Sequence, residues 1–349
     1  MEAAAALREV LRSLLTRHCG SDAVRSALGY DHGLWARLCG EVGVAGLAIP
    51  EKYGGAGAGL AEAQLALEEL GRVLAPTPML GSAVVAAQAL LLAGDDDACE
   101  RLLPGIAAGE RIAALAWTGR TGDWSTGEVA CRATEAGVLD GEAHYVLDGD
   151  HADTLLALAH SPAGIRLYEL DSADPGIDRT QTPALDITRR LARLALRGAH
   201  GRPVGGSFPL ARLRDIACLA LGAEQVGAAA RALELTVAYT KQRVQFGQPI
   251  GGFQALQHRL ADLYVLVESA RSACYATGET LAVRAAVAQV SCSETLTTVA
   301  AEMIQMHGGI GITWEHDAQL YFKRAHGAAH LFGSPQTHLE RLGSTAINL

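Results

Sequence analysis

The chain has 349 residues, of which 49% are hydrophobic and 5% aromatic, and its formal net charge is -9. That length allows two or three domains around real cores, and an Ala-rich, aromatic-poor composition favours helix. An acidic balance argues against a nucleic-acid partner, which needs a basic face, so an anionic ligand has to be held by local groups.

The seven cysteines, at 19, 39, 99, 131, 218, 274 and 292, show no C-x-x-C or Cys/His spacing. They read as reduced thiols of a cytoplasmic protein, with neither a disulfide framework nor a metal site. The opening residues carry Glu2, Arg8, Glu9, Arg12 and Arg17 at helical spacing and lack the apolar core of a signal peptide. No uninterrupted apolar run reaches spanning length, so no membrane association is expected.

From Met1 to about residue 110 the pattern is helical. Leu7, Val10, Leu11, Leu14 and Leu15 form one apolar stripe, and Leu34, Leu38 and Val42 another. Pro50 and the glycines at 54, 55 and 57 impose a loop before a helix restarting near Leu60, whose buried side is Leu65, Leu67, Leu70 and Val73. At about Arg111 the period changes to 2. Short strands are expected over 112–117, 129–134, 145–147, 155–158 and 165–170, forming a compact sheet or barrel over 111–210. From 211 to 349 the chain is helical again, with helices expected over 213–241, 254–279, 282–307 and 315–331. Short loops and small residues such as Gly222, Gly227 and Ala228 suit a four-helix bundle.

The first two of those helices are separated by Arg243-Val244-Gln245-Phe246-Gly247-Gln248-Pro249-Ile250-Gly251-Gly252-Phe253-Gln254. The Gly/Pro break exposes backbone N–H groups and a fresh helix N-terminus, which suits a phosphate-bearing ligand. Arg243 offers a fork of donors to a diphosphate, and Phe246 a flat face to a planar ring. Taken alone, such residues are more often ordinary loop residues.

In its wording, R-x-x-F-G-x-P-I-x-x-F-Q followed by L-A-D resembles the flavin-diphosphate segment of the acyl-CoA dehydrogenases. Four further stretches agree in order, beginning at Gly43, Gly141, Ile304 and Tyr321. The resemblance implies an α+β, mainly α fold: an N-terminal helical domain (1–110), a central β-barrel-like domain (111–210) and a C-terminal four-helix bundle (211–349). It also implies FAD shared between two subunits. Arg243, Phe246 and Gln254, with Gln305, Gly308 and Gly309, match positions that grip the diphosphate and adenosine of a neighbour's FAD. Glycine there lets a backbone approach closely, although Gly308 equally suits a helix C-cap.

Other family positions depart from the pattern. Such an enzyme needs a carboxylate to take the α-proton and a flavin to take hydride from the β-carbon. The glutamate of the Tyr-Glu-Gly-Thr segment falls on Phe332, and the alternative seat on the first C-terminal helix falls on Ala217. Where a Trp-Ile-Thr-Asn-Gly run would meet the flavin ring, the chain has Tyr145-Val146-Leu147-Asp148-Gly149, with Leu147 in place of the hydroxyl. The loop holding Thr118 and Ser125 matches only loosely. Asp215, about 200° round the helix from Ala217, should face away from that seat. Glu224 is expected on a helix face, and Glu315 in a helix first turn, where negative charge is favourable. His307, His316, His326 and His330 are expected at helix ends or on the surface.

A preserved grip beside an eroded ring site implies one subunit of a heteromeric α2β2 acyl-CoA dehydrogenase, similar to actinobacterial enzymes acting on bulky steroid or polyketide-like thioesters. A second family member would supply base and ring pocket, acting on an acyl-CoA or acyl-carrier thioester and passing electrons to an electron-transfer acceptor. The alternatives are a homo-oligomeric enzyme with a relocated base and a non-oxidative or structural homologue.

Overall fold

The structure, a computed structural model, describes residues 2–125 and 127–347; Met1, Thr126, Asn348 and Leu349 lie outside the described residues. The first third is helical: α1 (Glu2–His18), α2 (Ser21–Ala27), α3 (His32–Arg37), α4 (Leu60–Arg72), α5 (Ala87–Ala93) and α6 (Asp96–Ala107). Asp31 and Asp95 cap α3 and α6 by accepting from Leu34 N and Ala98 N. Leu11, Leu14 and Leu15 of the first stripe are buried, but Val10 is 49% exposed.

The strands are β1 (Ala113–Ala116), β2 (Cys131–Ala133), β3 (Val138–Leu147), β4 (Thr154–Ser161), β5 (Gly164–Leu170), β6 (Ile177–Gln181) and β7 (Leu191–Val204). They run in the order β1-β4-β2-β3-β7-β5, and an additional β4–β5 pairing closes the ring into a barrel, with β6 added on β7. β1 and β4 read as continuous apolar runs because both faces are covered. Ile112, Ala114 and Ala116, with Leu155 and Ala157, face the barrel interior, whereas Leu115, Leu156 and Leu158 pack into the helical core. β6 and β7 lie outside the strands expected from the sequence. For β7 the signal was present, since Ala192, Leu194 and Leu196 alternate with Arg193, Ala195 and Arg197.

After the barrel come α7 (Leu210–Gln242), the two-stranded β8 (Val244–Gln245) and β9 (Gln248–Pro249), then α8 (Gln254–Cys274), α9 (Leu281–His307), α10 (Ala318–Ala328) and α11 (Pro335–Ile347). By length and composition α7 could cross a membrane, contrary to the expectation that no stretch would, but 94% of its apolar window is buried inside the fold. It is a core helix, apolar all round because neighbours cover it. α4 crosses it backbone to backbone. A Cβ on Gly71 would stand 2.1 Å from the Glu224 carbonyl oxygen, and one on Gly227 1.8 Å from that of Glu68. Only glycine permits that approach. The buried Glu68 then ties three helices together, accepting from Arg8 at 2.9 Å, from Tyr275 at 2.7 Å and from Arg271.

Candidate functional site

Two surface features lie at one end of the helical bundle. At the first, α7 ends at Arg243, which has extended backbone, and β8 and β9 pair through Val244↔Pro249 and Gln245↔Gln248. The turn between them puts Phe246 at φ 53 with 91% of its surface exposed, braced edge-on by Phe253 at 6.1 Å. A bulky residue with positive φ is costly unless its surroundings impose it; here the bond from Ile250 N to Arg243 O, 2.8 Å, closes the segment. Gln254 starts α8 on the exposed side.

At the second, α9 ends at His307. Gly308 follows at φ 64, and 3-10 turns run through Gly308–Ile312. Gln305, Gly308 and Gly309 are exposed, and a Cβ on either glycine would meet nothing within 4 Å. Crowding by this chain therefore does not explain those glycines. Tyr239, one turn before Arg243, donates to the His307 carbonyl at 3.3 Å and so joins the two features. Among the described residues, the Arg243 side chain makes no hydrogen bond or ion pair, while its backbone N–H donates to the Tyr239 carbonyl at 2.9 Å. The six candidate cofactor residues thus lie on an outward surface.

The region that resemblance matches to the flavin ring is closed. Leu147 is buried, and it and Asp148 press against Gly81, where a Cβ would stand 2.7 Å from Leu147 Cβ and 2.9 Å from Asp148 Oδ2. The cavity bounded by Leu147, Asp148, Thr188, Arg189, Glu224 and Arg324 measures about 20 Å³, room for roughly one water and not for a tricyclic ring. Arg324 crosses this region, donating to Asp186 at 2.9 Å, Glu224 at 2.6 Å and the Thr188 carbonyl at 2.8 Å. Arg189 also bonds Glu224. Glu224 is therefore a buried ion-pair partner on its face of α7. It lies seven residues beyond Ala217, on the same face about 10 Å further along the helix. Thr118 is buried, its hydroxyl spent on the Asp123 carbonyl.

Asp148 went unremarked in the sequence. Burial pushes its carboxyl up to about 7, against the pull of His151 and Arg189. Its φ of 58 turns it inward at the end of β3, which pattern reading does not reveal.

At the position matching the family glutamate, Phe332 is 2% exposed. It packs against Trp124 with centroids 5.1 Å apart and against Trp117 at 6.1 Å, while the two indoles meet edge-on at 5.3 Å. Ala217 is fully buried, and its neighbour Cys218 lies with Sγ 3.7 Å from the Phe332 carbonyl and from His338 Nε2. Burial pushes the Cys218 thiol up to about 12, so it is no nucleophile. His338 Nε2 donates to the Phe332 carbonyl at 3.0 Å, and its Nδ1 accepts from Arg341 at 3.1 Å. Asp215 accepts from Arg341 at 2.8 Å, consistent with its pointing away from the Ala217 position. Glu315 precedes α10 and is exposed, so it is not a first-turn residue. His307 is buried at a helix end, whereas His326 and His330 are exposed. Among the described residues no cluster suited to a metal ion occurs.

Two family models match the chain: acyl-CoA dehydrogenase, N-terminal domain, over residues 1–110, and acyl-CoA dehydrogenase, C-terminal domain, over residues 215–347. The chain is 45% identical to the acyl-CoA dehydrogenase IpdE2 of Mycobacterium tuberculosis, covering 97% of this chain and 95% of that one. It is 43% identical to IpdE2 of Mycolicibacterium smegmatis, with 96% of each covered. Among solved structures it is similar to the ChsE4-ChsE5 complex of Mycobacterium tuberculosis, at 30% identity and TM-score 0.91, covering 100% of this chain and 98% of that one. It is also similar to the Tcur3481-Tcur3483 steroid ACAD G363A variant, at 31% identity and TM-score 0.90, covering 99% and 98%.

Proposed function

Because this chain belongs to the acyl-CoA dehydrogenase family, whose members use FAD, we propose that it is the base-lacking subunit of a heteromeric acyl-CoA dehydrogenase. In this reading a homologous partner supplies the carboxylate and the flavin-ring pocket, and this chain supplies the diphosphate and adenosine half-site. The flavin, when bound, accepts hydride from the β-carbon of the acyl thioester as the partner's base removes the α-proton. This chain's own task is to bind and orient. Arg243 would engage the diphosphate through its guanidinium, Phe246 would offer its ring face, and the backbone at Gly308 and Gly309 would approach the adenosine end, with Gln254 and Gln305 at its sides.

The observation that carries the reading is the packing of Phe332 between Trp117 and Trp124. A ring without a proton acceptor fills the base position, and the adjoining ring seat has room for about one water. The surface half-site, by contrast, is exposed and its Arg243 side chain has no partner among the described residues, as suits a surface that meets another chain. The likeness to two structures whose names pair two chains supports this reading, and the word steroid in one of them favours a bulky acyl group. A separate electron-transfer acceptor would reoxidise the flavin.

A self-sufficient enzyme with a relocated base has one observation in its favour, the carboxyl of Asp148 raised to about 7. That carboxyl opens on a cavity of about 20 Å³, which an acyl chain does not enter.

The test is flavin stoichiometry by visible absorbance, for the chain alone and co-purified with a nearby-encoded homologue. The half-site reading expects no flavin in the chain alone and about one FAD per pair, the arithmetic of one composite site. Full occupancy and acyl-CoA turnover by the chain alone would overturn it. No flavin in either preparation would leave a structural homologue.

A further inference from the structure

Beneath the turn that carries Gly308 and Gly309 lies a cluster of rings. His307 Nδ1 donates to the Met303 carbonyl at 2.7 Å. Its ring stacks on Tyr239 at 4.2 Å and 26°, and tilts against His316 at 4.6 Å. His316 Nδ1 accepts the N–H of Ala318 at 3.1 Å, and Ala318 is the first residue of α10. The imidazole thus satisfies the first N–H of that helix as an Asx side chain does, by an acceptor two residues back, from the residue before the N-cap position Asp317. Because a backbone N–H can only donate, Nδ1 of His316 carries no proton in the folded state.

The charged and titratable groups around it come from every neighbouring element. Asp317 follows it in the chain and accepts from Ser21 and, at 2.6 Å, from Arg25, both on α2. Arg25 also donates to the Trp314 carbonyl at 2.6 Å. Tyr239 comes from α7 and His307 from α9; Lys323 on α10 sits over the Trp314 ring at 5.1 Å, and Glu315 is exposed.

We infer that His316 is a proton-sensitive positioning residue: unprotonated, it caps α10 and holds the turn from Gly308 to Asp317 in the form that receives the partner's flavin nucleotide; protonated, it releases that turn. The inference rests on the half-site reading above. Protonation removes the acceptor for Ala318 N–H. It also places a cation at a helix N-terminus, against the macrodipole, beside a second imidazole and the Arg25 guanidinium. Burial lowers the proton affinity of His316, with Arg25 adding to it and Asp317 opposing, and burial likewise lowers that of His307. The neutral pair is therefore the resting form at neutral pH.

The experiment uses the co-purified two-chain complex and measures FAD dissociation at about pH 7.5 and about pH 5.5, on either side of the ordinary histidine range. Three forms are compared: the unmodified chain, His316→Asn and His316→Ala. Asn keeps an acceptor two residues back and does not titrate. The unmodified complex should lose roughly tenfold in FAD affinity at the lower pH, the scale of one helix cap. His316→Asn should hold FAD equally at both, and His316→Ala weakly at both. A second readout uses the chain alone: Trp314 emission, taken as the difference from Trp314→Phe, should change over the same pH interval in the unmodified chain and not in His316→Asn.

Identical pH dependence of the unmodified and His316→Asn forms in both readouts would overturn the inference. A complex that binds FAD with pH-independent affinity overturns this inference alone. A complex without flavin at about pH 7.5 overturns the half-site reading and this inference with it.

Discussion

Phe332 and Trp124 meet edge to face, with centroids 5.1 Å apart and planes at 69°. The two residues are far apart in sequence, and Trp117 completes the cluster from the end of β1. The contact joins the barrel to the C-terminal bundle across the position that resemblance matches to the family's carboxylate. A carboxylate placed there is therefore not expected to restore a site.

Phe332→Glu should lower stability by ~3–5 kcal/mol, because the ring's packing is lost and a carboxylate is buried against indoles. It should not bring the chain alone to bind flavin. Urea denaturation with visible absorbance checks both; flavin bound by the variant alone would show that the seat opens readily.

Arg324→Met should cost about 3–5 kcal/mol, since removing one partner leaves Asp186 and Glu224 buried without their guanidinium. Shape is roughly kept, so the loss reports charge. A denaturation midpoint close to that of the unmodified chain would show that Arg189 and solvent suffice for both acids.

Arg243→Ala should leave the stability of the chain alone within about 0.5 kcal/mol, because the side chain is exposed and without partners. In the two-chain complex it should weaken FAD by roughly 10–100-fold, the scale of charge-assisted bonds to a diphosphate. Unchanged FAD affinity would remove Arg243 from the half-site.

Asp148 sets a pH dependence of known sign. Its folded value of about 7 lies above the ordinary 3.8, so the folded state holds the proton more tightly, and stability declines as pH rises from about 4 to about 7. Asp148→Asn should therefore stabilise the protein increasingly over that interval and level off above it. Parallel stability curves for the two proteins would show that Asp148 is ionised in the fold at no cost.

His338 works in the opposite direction along the scale. Burial lowers its proton affinity, with the Phe332 carbonyl opposing, and both ring nitrogens are already bonded in the neutral form. Its contribution is present above about pH 6.5 and is lost as pH falls below that value. His338→Gln should flatten the acid limb of the stability profile measured by thermal unfolding. An unchanged limb would assign the loss to other groups.

The sequence by itself determined the order of elements, helices then strands then helices, because a period of 3.6 or 2 is a property of consecutive residues. It also placed the Gly/Pro break after Arg243, and it gave Phe332 and Ala217 as the residues that resemblance matches to the family's base positions, since side-chain identity needs no fold. It does not reveal β7 despite that strand's alternation, the ion pairs that bury Glu224, the burial of Asp148 or the bond that His316 makes to α10. Only the tertiary structure decided those. That Phe332 is packed by indoles from distant residues, that Arg324 threads Asp186 to Glu224, and that His316 caps α10 beside Tyr239 and His307 all depend on elements remote in the chain coming together. The state of a buried ring or charge is set by the neighbours that replace its water, and a local pattern does not carry their identity.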